Sequence, residues 1–304
     1  MNDLAPILLF AYNRPQHLKR AVASLLQNEE AKASDLYVFS DAAKSSRDKE
    51  AVELVRETIQ DIEGFRQITV VERKENWGLA RSIIDGVTSI VNQCGRVIVL
   101  EDDLVVSPYF LRFMNDALET YKDEPRVGHI QACDFTQSPR LPDTFLIKWT
   151  GSWGWATWKR AWENFNPNGE KLLAQLYERK LNKCFDFNGK YGFTKMLRDQ
   201  TEGKNNSWAI RWNASLFLAD ILSLNVGRSL VSNEGLDGSG SNSYSYDPYR
   251  SKLWMQPLKV ERIQPIEENM EARKEFERYY GRTNSMWAKA VRRLKRAMKG
   301  DFGL

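Results

Sequence analysis

Val97-Ile98-Val99-Leu100-Glu101-Asp102-Asp103 decides the reading of this chain, because four apolar residues run straight into three acids. A short apolar run of this kind suits a strand covered on both faces, as in a parallel sheet. In open α/β sheets ligands bind outside the carboxyl ends of the strands, which is where these acids fall. Three adjacent carboxylates repel one another, and a divalent cation carrying a phosphorylated ligand would relieve the repulsion. The competing reading is a solvated acidic turn that merely ends a strand.

Outward from this stretch, strands and helices alternate. Residues 7–12, 36–40 and 68–72 are expected as strands, and residues 15–27, 47–62 and 79–92 as the helices between them, with Pro15 in a first helical turn. Beyond the acids, Pro108 opens a helix to about residue 122, and residues 127–132 form another strand. Such alternation implies parallel pairing, right-handed crossovers and helices on both faces. This is a nucleotide-binding type of half.

The texture then changes. Trp149, Trp153, Trp155, Trp158 and Trp162 crowd together, with Gly151 and Gly154 among the first three. Glycine permits a tight, hairpin-like loop, and residues 156–165 are expected to continue as a helix. Indole rings stack on sugar faces, so Trp153 and Trp155 are read as an exposed wall for a glycan, and Trp158 and Trp162 as core. Residues 207–222 read as a helix capped by Ser207, with Arg211 as an acceptor-side cation, followed by short strands at 222–226 and 230–232. The polar, glycine-rich run 233–243 reads as a loop that orders over substrate or as a plain linker. It lacks the lysine and the spacing of a P-loop.

With 304 residues, 42% hydrophobic and 28% charged, the chain can bury a full core in one or two closely joined domains. No apolar run approaches the roughly 20 residues needed to span a bilayer, and the N-terminus lacks signal-peptide features, so a cytosolic protein starting near Met1 is expected. Cys94, Cys133 and Cys184 have no metal-ligand spacing and read as reduced, buried thiols. His17 and His129 read as structural. A net charge of +4 does not call for nucleic acid. From residue 286 to 299, however, Lys289, Arg292, Arg293, Lys295, Arg296 and Lys299 flank an apolar stripe with no acid present. That pattern suits either a helix lying on an anionic membrane surface or one docked on the protein with a solvated basic face.

Several segments together resemble a GT-A type glycosyltransferase, and their order resembles the N-acetylglucosaminyltransferase I family. They are Phe10-Ala11-Tyr12-Asn13-Arg14-Pro15, Ser40-Asp41, Trp77-Gly78-Leu79-Ala80, and the run from Val99 through Glu101-Asp102-Asp103 to Ser107-Pro108-Tyr109-Phe110. The resemblance is good over residues 5–115, looser to about 165 and weak beyond. The chain also resembles bacterial members that build surface polysaccharide such as lipopolysaccharide or capsule. The resemblance implies a mixed, mostly parallel Rossmann-like sheet with an acceptor-side subdomain and a C-terminal helix. It implies that Asp103 ligates Mn2+ or Mg2+, that Glu101 and Asp102 face the sugar and ribose of a UDP-sugar, that Ala11, Asn13 and Arg14 line the uridine pocket, and that Asp41 meets the uracil edge. Arg81 is added as a diphosphate contact on charge complementarity alone.

Glycosyl transfer with inversion needs one base for the acceptor hydroxyl, since a nucleoside diphosphate leaves readily once its charge is neutralised. The family's base sits in an aromatic-flanked acidic pair, and the matching place here, Trp208-Ala209-Ile210-Arg211-Trp212, has no acid. Asp199, Asp186 and Asp237 are the substitutes. The resulting expectation is a metal-dependent, inverting glycosyltransferase acting from a UDP-sugar on a lipid-linked glycan at the inner face of a membrane. Residues 1–106 would be the donor half, 107–265 the acceptor half of the same domain, and 266–304 a basic helical segment. The rivals are a non-catalytic glycan-binding protein that kept the fold, and a sugar-nucleotide pyrophosphorylase. The second would carry a glycine-rich loop after the first strand, where Tyr12-Asn13-Arg14-Pro15 has no glycine.

Overall fold

The computed structural model describes residues 4–235 and 251–285. The first part of the chain consists of β1 (Ile7–Ala11), α1 (Pro15–Leu25), β2 (Asp35–Ser40), α2 (Lys49–Gln60), β3 (Gln67–Glu72), α3 (Gly78–Cys94) and β4 (Arg96–Glu101). There follow β5 (Leu104–Val106), α4 (Phe110–Thr120), β6 (Val127–Gln131), β7 (Thr144–Ile147), β8 (Trp155–Trp158) and α5 (Lys159–Trp162). The remainder is α6 (Gly169–Glu178), α7 (Asn182–Phe185), α8 (Phe193–Thr201), α9 (Trp208–Leu218), β9 (Leu222–Val226), β10 (Val231–Asn233) and α10 (Met270–Thr283).

Eight strands form one sheet in the order β3-β2-β1-β4-β8-β6-β9-β7. β1, β2, β3 and β4 are parallel, β8 runs antiparallel to both β4 and β6, and β6 is parallel to β9. β4, β6 and β9 therefore point the same way, so their carboxyl ends share one edge of the sheet with those of β1 and β2. The sheet is continuous across residue 106. Burial follows strand alternation. Ile7, Leu9, Ala11, Ile98 and Leu100 pack on α1, α2 and α4, whereas Leu8, Phe10, Val97 and Val99 pack on α3, α5 and α9. A third core joins β7 to α6, α8, α9 and α10. This is the mixed, largely parallel α/β architecture with helices on both faces that the sequence leads one to expect.

The sequence misleads at β8 and is silent on β5 and β7. Residues 155–158 are not helical, because they fill the centre of the sheet between β4 and β6. There Trp155 faces one core while Ala156 and Trp158 face the other, a period of two that excludes a helix. Gly154, at φ +64°, turns the chain into β8 where a side chain would strike Val231. β7 was unexpected altogether, its place being set by pairing with β9. Ser207 caps α9 as expected, accepting from the Ile210 N–H. Cys94, Cys133 and Cys184 form no disulfide, and Cys94 is exposed at the end of α3 rather than buried. The basic stretch 286–299 lies outside the described residues. Among those described, no helix is long and apolar enough to cross a membrane.

Candidate functional site

The carboxyl ends of β1, β2 and β4 enclose a cavity of about 320 Å³. Ala11, Asn13, Arg14, Asp41, Glu101 and Asp102 line it, together with Tyr12, Lys44 and Asn76. The convergence follows from the parallel register: Phe10 pairs with Glu101 across β1 and β4, and Ala11 with Ser40 across β1 and β2. Each strand thus delivers its following residues to the same edge.

Arg14 organises the acids. Its Nη2 donates to Asp102 Oδ1 and to Asp103 Oδ2, each at 2.8 Å, and all three side chains are largely shielded from solvent. The Tyr12 N–H donates to Asp102 Oδ2 at 3.2 Å. Burial pushes the Asp102 carboxyl up to about 6, opposed first by Arg14 and then reinforced by the Asp103 charge. Burial also holds Glu101 well above the ordinary carboxylate range, with Asp103 and Asp102 adding repulsion. Asp103 Oδ1 is buried and accepts no hydrogen bond from the described residues. A carboxylate oxygen left bare in that way is costly unless a ligand or cation completes it. The backbone after β10 passes directly over this point. Glu234 N–H donates to the Asp103 carbonyl at 2.8 Å, and a Cβ at Gly235 would lie 2.0 Å from Asp103 Oδ2 and 2.7 Å from Arg14 Nη1. Only glycine fits there without displacing the acid.

Asp41 is placed in the cavity wall but is heavily used by the chain itself. Its Oδ1 accepts from the Ala42 and Trp77 N–H groups at 2.9 Å, and its Oδ2 from Gly78 N–H at 2.8 Å and Asn76 Nδ2 at 3.2 Å. The residue anchors the start of α3, where an anionic side chain suits the exposed N–H groups. Asn13 reaches Asp48 at 3.3 Å. Arg81 does not line the cavity: its guanidinium stacks 3.8 Å from the Trp77 ring centroid, with Arg73 at 3.7 Å, and it lies near Glu75. Among the described residues no three His, Cys, Asp or Glu side chains converge as a metal-binding group.

The acceptor-side expectations fare differently. Trp155 is 1% exposed and stacks between His129 and Trp208, so it forms core and not a wall, as its inward strand position requires. Trp153 is half-buried, and its carbonyl accepts from Gln131 Nε2 at 3.0 Å. Arg211 is also buried, its guanidinium donating to the carbonyls of Ser207 and Pro167 and to Asn206. Asp186 receives the Thr194 N–H at 2.6 Å at the start of α8, and burial raises its carboxyl. Asp199 pairs with Lys195 at 2.5 Å on the surface of the same helix, which lowers its carboxyl. Asp237 lies outside the described residues.

Two further buried groups stand out: His129 is structural, as its sequence reading has it, and Asp134 escaped that reading. His129 is fully buried, accepts from Trp212 Nε1 at 3.1 Å and lies 3.4 Å from Gln131 Oε1, and burial depresses it to about 3. It is a neutral strut. Asp134, just past β6, binds the Thr136 N–H and hydroxyl and the Gln137 N–H, and burial pushes it up to about 6. Its spacing to Thr136 is an Asx-turn signal that the sequence does carry.

Among solved structures, the chain resembles the mannosyltransferase PcManGT from Pyrobaculum calidifontis in complex with GDP-Man and Mn2+, at 14% identity and TM-score 0.34, covering 57% of this chain and 49% of that one. It also resembles S. aureus TarS, at 15% identity and TM-score 0.30, covering 46% and 23%. A UDP-glucose pyrophosphorylase complexed with UDP-glucose aligns at 11% identity and TM-score 0.36, covering 73% and 90%. The chain thus spans about half of the first and under a quarter of the second. Likenesses this distant carry no argument about activity. No curated protein matches the chain. The family model for Glycosyl transferase family 2, by contrast, matches residues 7–185, which takes in β1 through α7 and every residue of the cavity. With more than half of its length matched, the chain belongs to glycosyl transferase family 2.

Proposed function

We propose that the protein is a metal-dependent, inverting glycosyltransferase that moves a hexosyl or N-acetylhexosaminyl group from a UDP-sugar to a hydroxyl of a lipid-linked glycan. The observation that carries the donor reading is the 320 Å³ cavity, where Ala11, Asn13, Arg14, Asp41, Glu101 and Asp102 meet beside an Asp103 oxygen that has no hydrogen-bond partner among the described residues. The motif order shared with the N-acetylglucosaminyltransferase I family supports uridine as the base, and the separate resemblance to bacterial members that build surface polysaccharide supports such a glycan as the product.

A divalent cation fits at Asp103, since Oδ1 is buried and bare while Oδ2 is held by Arg14. When bound, Mn2+ or Mg2+ neutralises charge on the departing diphosphate. Arg14 keeps Asp102 and Asp103 aligned, and the Ala11, Asn13 and Asp41 walls position the nucleoside. In the reaction the acceptor hydroxyl yields its proton to a carboxylate as its oxygen bonds the anomeric carbon from the face opposite the diphosphate. The bond from that carbon to the diphosphate oxygen breaks, and UDP leaves with the electron pair. A positioned base contributes on the order of 100- to 10,000-fold. Asp199, Asp186 and Asp237 are the acids to replace in search of it. Arg81 would reach a diphosphate only by leaving Trp77.

A thermal-shift panel of nucleotide sugars with and without Mn2+ tests this reading. A UDP-sugar should raise the melting temperature only with the cation, by mass action. No shift with any UDP-sugar, or an equal shift without metal, would overturn it. Residues 286–299 supply the proposed membrane contact, and removing residues 284–304 should release the protein from vesicles containing anionic lipid.

A further inference from the structure

Two cavities outside the donor pocket meet at Gln137 and Pro139. The smaller, about 260 Å³, lies at the carboxyl ends of β6 and β9, with Asp134 and Ser229 on its inner side and Arg228, Lys252 and Trp254 on its outer side. The larger, about 810 Å³, runs between residues 136–140 and α10 and presents Arg140, Lys190, Lys274, Arg278 and Arg282. Because β4, β6 and β9 point the same way, the smaller cavity shares an edge of the sheet with the donor pocket. β6 stands two strand spacings from β4, about 10 Å.

Charge around these cavities is unlike that of the chain as a whole. The chain carries 44 cations against 40 acids, whereas here cations outnumber acids by more than two to one. The acids are already committed. Asp134 binds its own turn, Glu275 accepts from Ser138 at 2.9 Å and pairs with Arg140 and Arg278, and Glu277 accepts from Asn188 at 2.6 Å and pairs with Arg273. Lys190, Lys252 and Arg282 are exposed and form no ion pair among the described residues. Trp254 is 38% exposed, and the Arg228 guanidinium lies over its ring at 5.9 Å from the centroid. An exposed indole with cations at its rim combines a stacking surface for a sugar ring with partners for that sugar's acidic substituents.

We propose that these joined cavities form the acceptor groove and that the acceptor is an anionic glycan, bearing carboxylate or phosphate groups, with one sugar ring on Trp254. The proposal rests on the transferase reading above and replaces Trp155 and Arg211 as acceptor contacts. Neutral glycans of the same backbone lack the groups that the uncommitted cations would meet, so they bind weakly.

The full-length protein is titrated calorimetrically with a galacturonic acid octamer and its methyl ester, and with a phosphorylated mannopentaose and its dephosphorylated form. Each acidic oligosaccharide that fits should bind at least about tenfold more tightly than its neutral counterpart, and the arm that responds identifies the substituent. Trp254→Ala and Lys252→Glu should each weaken that binding by about tenfold. If Trp254→Ala lowers the melting temperature, Arg282→Glu, at an exposed position, gives the same reading. Equal binding of acidic and neutral forms, no saturable binding of either acid form at millimolar concentration, or indifference to all three substitutions overturns the proposal. The thermal shift caused by UDP-sugar and Mn2+, measured on the same variants, separates the two readings. A retained shift with lost glycan selectivity leaves the donor site standing, and an absent shift in a protein that still selects acidic glycans removes the donor reading alone.

Discussion

The acid cluster after β4 and the acidic residues of the second half are held in opposite ways. In the first half, Glu101, Asp102 and Asp103 crowd beside one cavity, Asp102 and Asp103 share the Arg14 guanidinium, and a buried oxygen of Asp103 has no hydrogen-bond partner among the described residues. In the other half, Asp134 holds its own turn, Asp186 caps α8, Asp199 is paired with Lys195, and Glu275 takes Ser138 and two arginines. Each of these carboxylates finds its partners within the chain. The incomplete cluster points to a ligand, because leaving such a group buried and bare would otherwise only cost stability.

The contrast can be broken most forcefully at Trp155. If the tryptophan-rich segment is core, Trp155→Ala should cost about 3–5 kcal/mol in denaturant unfolding. A fully stable variant with impaired glycan binding would restore the exposed-wall reading. A smaller effect is expected at His129, whose folded value of about 3 lies below the unfolded 6.5. Its contribution is therefore complete above pH 6.5 and is lost as pH falls toward 3, by about 2 kcal/mol at pH 5. His129→Gln should flatten that acid limb of stability against pH, and an unchanged limb would mean that the ring titrates normally. The least effect belongs to Asp199→Asn. Its pair with Lys195 lies at the surface, where such pairs contribute little, so the melting temperature should stay put. If transfer is nevertheless abolished, Asp199 is the base after all.

How much of this was legible in the sequence depends on how local the cause is. β1 and β4 read clearly because strands covered on both faces are unbroken apolar runs, and the acids after β4 stand where such runs end. Ala11, Arg14, Asp41 and Asp102 converge as expected because parallel register alone brings strand ends together. Trp155-Ala156-Thr157-Trp158 misled because its conformation is imposed by β4 and β6 on either side, not by its own composition. Arg81 sits one turn into α3 as read, but Trp77 captures its guanidinium, and no spacing rule reveals that. The cavity at Asp134, Arg228 and Trp254 joins segments far apart in the chain, each unremarkable alone.

The central claim is that Asp103 completes a cation–diphosphate site. Calorimetric titration of UDP-sugar in the presence of Mn2+, on the wild-type protein and on Asp103→Asn, tests it most directly. The account predicts metal-dependent binding that falls by a hundredfold or more in the variant, about 2.7 kcal/mol, with no loss of folding cooperativity. Donor affinity retained in the variant, or equal with and without Mn2+, would contradict it.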